Sequence, residues 1–387
     1  MTSSNGESAT REGSFMDERL WGMLQNHIDL SMIYAKLPND AFFRLRAVCK
    51  DWNRLASDPI FLRESSNIPT LNFLVDGPMC NYRLLTYDSS SRRWNWTHGL
   101  PRADIGVGMG DLLLTRLNAH EHSVFNIQTR TVQTLPSLPP VDPERDLEHA
   151  LDDTLIGMTV DTSVNPPSFR VILGHKEIGT RIYDSTTDSW STDSLSMVVE
   201  WEPGQDSIFA HSDPTCVEFC GVLYIRLWGM YGEDINVYTY MLEDDWWSGI
   251  EQIIPNQYDF HTFDIGAWAD RLFLFGMRDK PAREFVAWSR SERPNWTLFD
   301  RMPEDLYEWM QIEYEDLDRP SRDVNAKYWP CHEDMEIRTK FCGEYVLVFK
   351  CLGLADVAER AILYNLDSKV WQKVGIPKDD TREETEE

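Results

Sequence analysis

No apolar run of about 18 residues occurs in the sequence, so no membrane-crossing helix is expected. The opening segment, "MTSSNGESATREGSFMDERL", has nothing like the apolar stretch of a signal peptide. Cysteine is sparse: seven are scattered without a CxxC pair or a disulfide-framework spacing. A reducing compartment, cytoplasmic and/or nuclear, is therefore expected. The pair in "CVEFC", Cys216 and Cys220, sits on one face of a strand and reads as core packing, because no further ligands follow at metal spacing. Histidine is scarce too, at nine residues. "AHEHS" sets His120 and His122 two apart, but without a third ligand nearby it reads as a solvated turn. No GxSxG, phosphate loop with GK[ST] or HExxH occurs, and neither a metal nor a cofactor is expected. Positive charge is also lacking. A formal charge of −27 argues against general nucleic-acid binding, which needs a basic surface.

What is present divides into two textures. Residues 1–15 are small, polar and Gly/Ser-rich and read as a disordered tail. From 16 to 64 the pattern is helical. "NHIDLSMIYAKLP" places Ile28, Leu30, Ile33 and Leu37 at helical spacing, with Leu24 just upstream, and Pro38 ends the run. A second stripe runs through Phe42, Leu45, Val48, Cys49, Trp52 and Leu55, and Asp58-Pro59 stops it. Between Met16 and Glu64 seven acidic and seven basic residues balance, so the acid excess lies elsewhere. A unit of some 45 residues cannot bury so many large side chains internally. Part of this stripe must face another surface.

From about Leu71 short β-patterned runs alternate with turns. One motif recurs: an aromatic ends a run, a polar turn follows, and a tryptophan opens the next run seven or eight residues on. The pairs are Tyr87 and Trp94, Tyr183 and Trp190, Tyr238 and Trp246, Trp288 and Trp296, and Tyr364 and Trp371. Phe125 and Val132 form a weaker copy. Strongly apolar strands, "FRVILG", "GVLYIRLWGM", "DRLFLFGM" and "GEYVLVFK", precede several of these hairpins and are expected to be buried on both faces. Apolar strand, loop and hairpin, six times over some 300 residues, describe the blades of a closed β-propeller covering 68–377. A sandwich or two smaller β domains is the alternative. An acidic, aromatic insertion lies between Arg301 and Asp334, and 378–387 form an acidic tail.

"LWGMLQNHIDLSMIYAKLPNDAFFRLRAVCKDWNRLASDPIF" resembles an F-box, and the repeats resemble degenerate kelch blades. Together they are similar to plant-type F-box/kelch-repeat proteins: mainly β, with a small all-α N-terminal F-box. The kelch glycine doublet is absent, with single glycines Gly229 and Gly276 in its place. Gln25 stands where the family has proline. The resemblance implies a Skp-family adaptor as partner, and through it a cullin–RING ubiquitin ligase. Leu24, Ile28, Leu30, Ile33, Leu37, Pro38, Phe42, Leu45, Val48, Cys49, Trp52 and Leu55 would carry adaptor binding. The propeller would hold an unidentified protein substrate, with no catalysis of its own. A propeller enzyme and a ligase-independent scaffold are the alternatives. The Ser-x-Asp-x-Gly-x-x-Trp box of sialidases is missing, since "STTDSW" lacks its glycine. Candidate substrate contacts are Trp228 and Tyr231 in "WGMYGED", Arg278 and Arg283 in "FGMRDKPARE", and Trp309, Tyr314 and Trp329 in the 301–334 insertion. The acidic propeller is expected to favour a basic or neutral substrate.

Overall fold

The computed structural model describes residue 50 and, from 70 onward, residues 70–76, 82–88, 92–97, 100, 105–116, 121–138, 154–164, 167–175, 179–193, 215–228, 235–250, 260–278, 284–291, 295–311, 337–352 and 356–376. The chain divides into two compact units, Met1–Ile68 and Pro69–Glu387. Apart from Lys50, the described residues all belong to the second.

They form six antiparallel sheets. The first comprises β1 (Thr70–Asp76), β2 (Tyr82–Asp88) and β3 (Arg93–Thr97). The second comprises β4 (Ile105–Met109), β5 (Leu112–Arg116), β6 (His122–Asn126) and β7 (Thr131–Thr134). The third holds β8 (Leu155–Asp161), β9 (Ser168–His175), β10 (Gly179–Asp184) and β11 (Ser189–Asp193). The fourth holds β12 (Thr215–Phe219), β13 (Val222–Trp228), β14 (Ile235–Met241) and β15 (Trp246–Ile250). β16 (Phe260–Trp268), β17 (Arg271–Arg278), β18 (Glu284–Arg290) and β19 (Thr297–Arg301) make the fifth. β20 (Ile337–Cys342), β21 (Tyr345–Leu352), β22 (Asp356–Asn365) and β23 (Val370–Val374) make the sixth. Each sheet is a simple meander.

The sheets are blades of a six-bladed β-propeller. Five apolar clusters join every blade to the next. Leu84 and Leu113 link the first and second, and one large cluster runs from Val107 through Ile172 to Tyr240 across the second, third and fourth. Phe219 and Phe263 meet between the fourth and fifth, and Phe275 and Tyr364 between the fifth and sixth. Phe73 and Phe349 then join the first blade to the last. The ring is thus closed by side-chain packing, which removes the apolar faces no single blade could bury. The first strands of neighbouring blades run side by side toward the axis. The apolar strands read from the sequence are the second strands of their blades. In β17 every residue after Arg271 is buried.

The aromatic repeat is a register fact. Tyr87 pairs with Trp94, Phe125 with Val132, Tyr183 with Trp190 and Tyr364 with Trp371. All four pairs are seven residues apart. In the fourth blade the expected pair, Tyr238 and Trp246, is corrected to Tyr240 and Trp247. A bulge between Thr239 and Tyr240 sets that register. Trp247 is buried while Trp246 is 45% exposed. In the fifth blade Trp288 pairs with Leu298 rather than Trp296, again beside a bulge.

The start of the 301–334 insertion is ordered structure. α1 (Glu304–Gln311) follows β19, with Glu304 and Asp305 in its first turn, where carboxylates favour the helix dipole. It buries Leu306 and Met310 in the cluster between the fifth and sixth blades.

Candidate functional site

The twelve adaptor-stripe residues from Leu24 to Leu55 lie outside the described residues, as do Tyr231, Arg283, Tyr314 and Trp329. Trp228 ends β13. Two of the candidate substrate contacts have placed side chains, and both are held by the fold. Arg278, last in β17, is only 5% exposed. Its guanidinium donates to Glu284 of the neighbouring strand, and Arg301 Nη1 donates to the other oxygen of that carboxylate at 2.7 Å. Its side chain is buried at the base of a charge network that reaches the surface through Arg301, rather than lying on an open loop. Trp309, on α1, is half-buried. Arg360 stacks over its ring at 5.6 Å and donates to its carbonyl at 2.8 Å, while Lys373 lies 4.7 Å from the same ring. These contacts pin the helix to the sixth blade.

His122 also departs from expectation. It opens β6, is 2% exposed and packs edge-on to Trp190 at 6.1 Å. It is therefore interior rather than part of a solvated turn; His120 lies outside the described residues. Cys216 is core, as expected, with its Sγ donating to the Met158 carbonyl of the adjacent blade at 3.7 Å. Burial pushes its thiol up to about 12. Cys220 is exposed in the turn after β12, at φ 52°. Among the described residues no cluster of three or more His, Cys, Asp or Glu is placed to hold a metal.

A meander brings the first–second and third–fourth turns of each blade to one end of the ring. The second–third turns and the blade-to-blade links lie at the other. In the second to sixth blades the inner hairpin turn carries an acid close by: Asp111 in the second blade, Asp161 in the third, Glu218 in the fourth, Asp270 in the fifth and Glu344 in the sixth. The electrostatics show how close some of them are. Burial raises the Glu218 carboxyl above its ordinary range, and the nearby Asp161 charge adds to this. Asp161 is held below its ordinary range by Ser163, whose amide donates to Oδ1 at 2.8 Å. Asp111 is raised by burial. Asp111 and Glu344 both act on Cys342, whose thiol burial lifts to about 11.

Between the inner turns of the fourth and fifth blades lies a cavity of about 660 Å³. Glu218, Phe219 and Cys220 line one side; Ala267, Trp268, Ala269 and Asp270 line the other, with Ser291 beside them. The Trp268 indole is fixed by its Nε1–H, which donates to Asp367 of the sixth blade at 2.8 Å. Arg226 of β13 and Asp264 of β16 form a buried cross-blade ion pair at 3.2 Å. The sequence places the acid excess outside residues 16–64 but singles out none of these acids. The available signal was their recurrence beside the inner hairpin turns, visible only once strand order is known.

No family model matches the chain. Over 305 residues it is 23% identical to F-box only protein 6 of Arabidopsis thaliana, a match covering 74% of this chain and 60% of the relative. Over 178 residues it is 28% identical to F-box only protein 13 of the same plant, covering 42% and 37%. The chain thus spans less than two thirds of each relative. Among solved structures, TolB from Acinetobacter baumannii aligns at TM-score 0.40 and 8% identity, over 82% of this chain and 68% of that one. The Myceliophteria thermophila Cps50 (Swd1) β-propeller domain aligns at 0.39 and 10% identity, over 80% and 88%. Both relatives carry F-box names, and the second unit of this chain is a six-bladed propeller.

Proposed function

We propose that the chain is the substrate-recognition subunit of a Skp–cullin–F-box ubiquitin ligase. Residues 16–64 bind the Skp-family adaptor, and the kelch-like propeller holds the protein to be ubiquitinated. The observation that carries this reading is a conjunction. An apolar, charge-balanced stripe with F-box spacing precedes a closed propeller, and a distant relative with an F-box name matches 74% of the chain. The stripe is too large for its own small unit to bury, so a partner surface completes it. The propeller supplies a rigid frame on which turns and loops from several blades converge. On this reading the chain does no chemistry, needs no cofactor or metal, and works in the cytoplasm or nucleus.

Affinity purification of the full chain, probed for a Skp-family adaptor and a cullin, tests the assignment. Both are expected. Capture of the adaptor without a cullin would make it a ligase-independent scaffold, and capture of neither would remove the F-box reading.

A further inference from the structure

We propose that ubiquitin transfer onto the chain itself falls on the sixth blade, at the exposed amines of Lys369 and Lys373. This deepens the proposed function and rests on the chain working beside a ubiquitin-charged enzyme.

The argument starts from a bias between two cations. Between residues 51 and 336 the sequence carries 20 arginines but three lysines, Lys176, Lys280 and Lys327. From 337 to 387 it carries three arginines and five lysines. Lysine is ordinarily among the commonest residues. No lysine occurs among the described residues of the first five blades. Some of their arginines do what lysine could not. Arg290 stacks over the rings of Tyr224 and Trp296 and donates to the Tyr224 hydroxyl at 2.7 Å. Others sit where either cation would serve. The outer turns set one residue in the left-handed region two positions before the residue that closes each aromatic pair. It is Arg92 before Trp94 (φ 54°), Arg130 before Val132 (φ 53°) and Lys369 before Trp371 (φ 55°). Backbone and charge are alike at all three. Reactivity separates them: a guanidinium keeps its proton and is not acylated, whereas a lysine amine that loses its proton is a nucleophile. The first two blades thus carry positive charge in this turn without offering an acceptor, and the sixth offers one. Lys373 follows on the same outer strand, and both side chains are exposed. Lys369 Nζ lies 4.1 Å from the Phe299 ring and donates to the Phe299 carbonyl at 3.3 Å, and Lys373 Nζ lies 4.7 Å from the Trp309 ring. These contacts hold the two amines beside the fifth blade without burying them. Lys340, by contrast, is 9% exposed. Lys36 and Lys50 belong to the segment assigned to the adaptor. In the transfer the free ε-amine attacks the carbonyl carbon of the ubiquitin thioester. The C–N bond forms, the C–S bond breaks, the enzyme's cysteine leaves as thiolate, and the surplus proton on nitrogen passes to water.

The test reconstitutes the full chain with its captured adaptor and cullin–RING partner, ubiquitin, ATP and the activating and conjugating enzymes. Mass spectrometry after trypsin maps the diglycine remnants left on lysine. Remnants are expected on Lys369 and Lys373. Lys369→Arg combined with Lys373→Arg keeps the charge and should lower self-modification at least fivefold. Lys176→Arg combined with Lys280→Arg should lower it less than twofold. Thermal melting of each variant checks that the fold is kept. Remnants chiefly on other lysines, or undiminished modification of the first double variant, would overturn the proposal. Capture of adaptor and cullin with no remnant on the chain would overturn it too and leave the ligase reading standing. Failure to capture the adaptor would remove both.

Discussion

The hydroxyl of Tyr183 donates to Oδ1 of Asp188 at 2.7 Å, tying the third strand of the third blade to its own outer turn. Gln133 of the second blade donates to the same hydroxyl at 3.1 Å, so one phenol joins a turn, a strand and a neighbouring blade. The fourth blade repeats the device with Tyr240 and Asp245 at 3.1 Å. Tyr183→Phe should lower stability by about 1 kcal/mol, the usual net worth of such a bond. The urea midpoint of the full chain measures it. An unchanged midpoint would mean that water replaces the hydroxyl without loss.

Two glycines should respond differently to one added methyl group. A Cβ on Gly266 would lie 2.1 Å from the ring of Phe341, which is itself packed edge-on against Phe275. A Cβ on Gly157 would meet the terminal carbons of Leu223 and Ile225 at 2.5 and 2.8 Å, and such ends can turn aside. Gly266→Ala is expected to cost roughly 1–3 kcal/mol through overpacking. Gly157→Ala should cost less, because the strand preference for alanine over glycine offsets part of the strain. Differential scanning calorimetry of the two variants ranks them, and the reverse order would contradict the packing described.

Alkaline pH should weaken the fold. Burial lifts the thiols of Cys216 and Cys342 to about 12 and 11, and the Tyr238 phenol to about 12. These groups stay protonated in the folded chain, while unfolded thiols release protons above pH ~8.5 and the unfolded phenol above pH ~10. The stability they contribute is complete below those values and is lost as pH rises toward the folded ones. The urea midpoint should therefore drop between pH 7 and pH 10, and Cys216→Ala should make the drop shallower. A midpoint that does not fall would contradict the burial of these groups.

For adaptor binding, Trp52→Ala combined with Leu45→Ala should abolish Skp co-purification, since buried interface anchors typically cost about 2–4 kcal/mol each on truncation. The far-ultraviolet β signature of the propeller should remain. Gln25→Pro should tighten binding modestly by presetting the backbone at the helix entry. Adaptor capture by the double variant, or weaker capture by Gln25→Pro, would count against the roles given to those positions.

The insertion after β19 needs a deletion that respects α1. Removing 313–325 should leave adaptor capture and melting temperature unchanged, whereas Met310→Ala should destabilise by roughly 2–4 kcal/mol because Met310 is fully buried between two blades. If capture of cellular substrates survives the deletion, that part of the insertion is not the reader.

Strand-rich texture, blade number and most hairpin pairs were legible in the sequence because an aromatic seven residues before its partner spans a fixed outer turn. The fourth and fifth blades misled the reading for a physical reason. "YTY" followed by "WW" offers competing pairs, and a bulge, which no composition announces, selects between them. Candidate contacts were harder. Arg278 and Trp309 look like surface anchors in isolation, yet a carboxylate across the strand and two cations over the ring turn them inward. The acids near the inner turns are unremarkable one by one. Only the ring, which aligns hairpins some fifty residues apart, makes them a group.

Five of the six blade-to-blade contacts are backed by continuous chain, but the junction between the sixth blade and the first has no such link from Ile376 back to Thr70. Among the described residues the first sheet has three strands where the others have four. Besides apolar packing, a long polar tie crosses that junction, the Asn72 backbone amide donating to the Cys342 thiol at 3.4 Å. A ring with one such seam has a preferred place to yield. Amide hydrogens of β1 and β20 should exchange ahead of those in β13 and β17, since local opening follows the weakest cooperative boundary. Thermal strain would then open the ring between its first and sixth blades before any other blade boundary lets go.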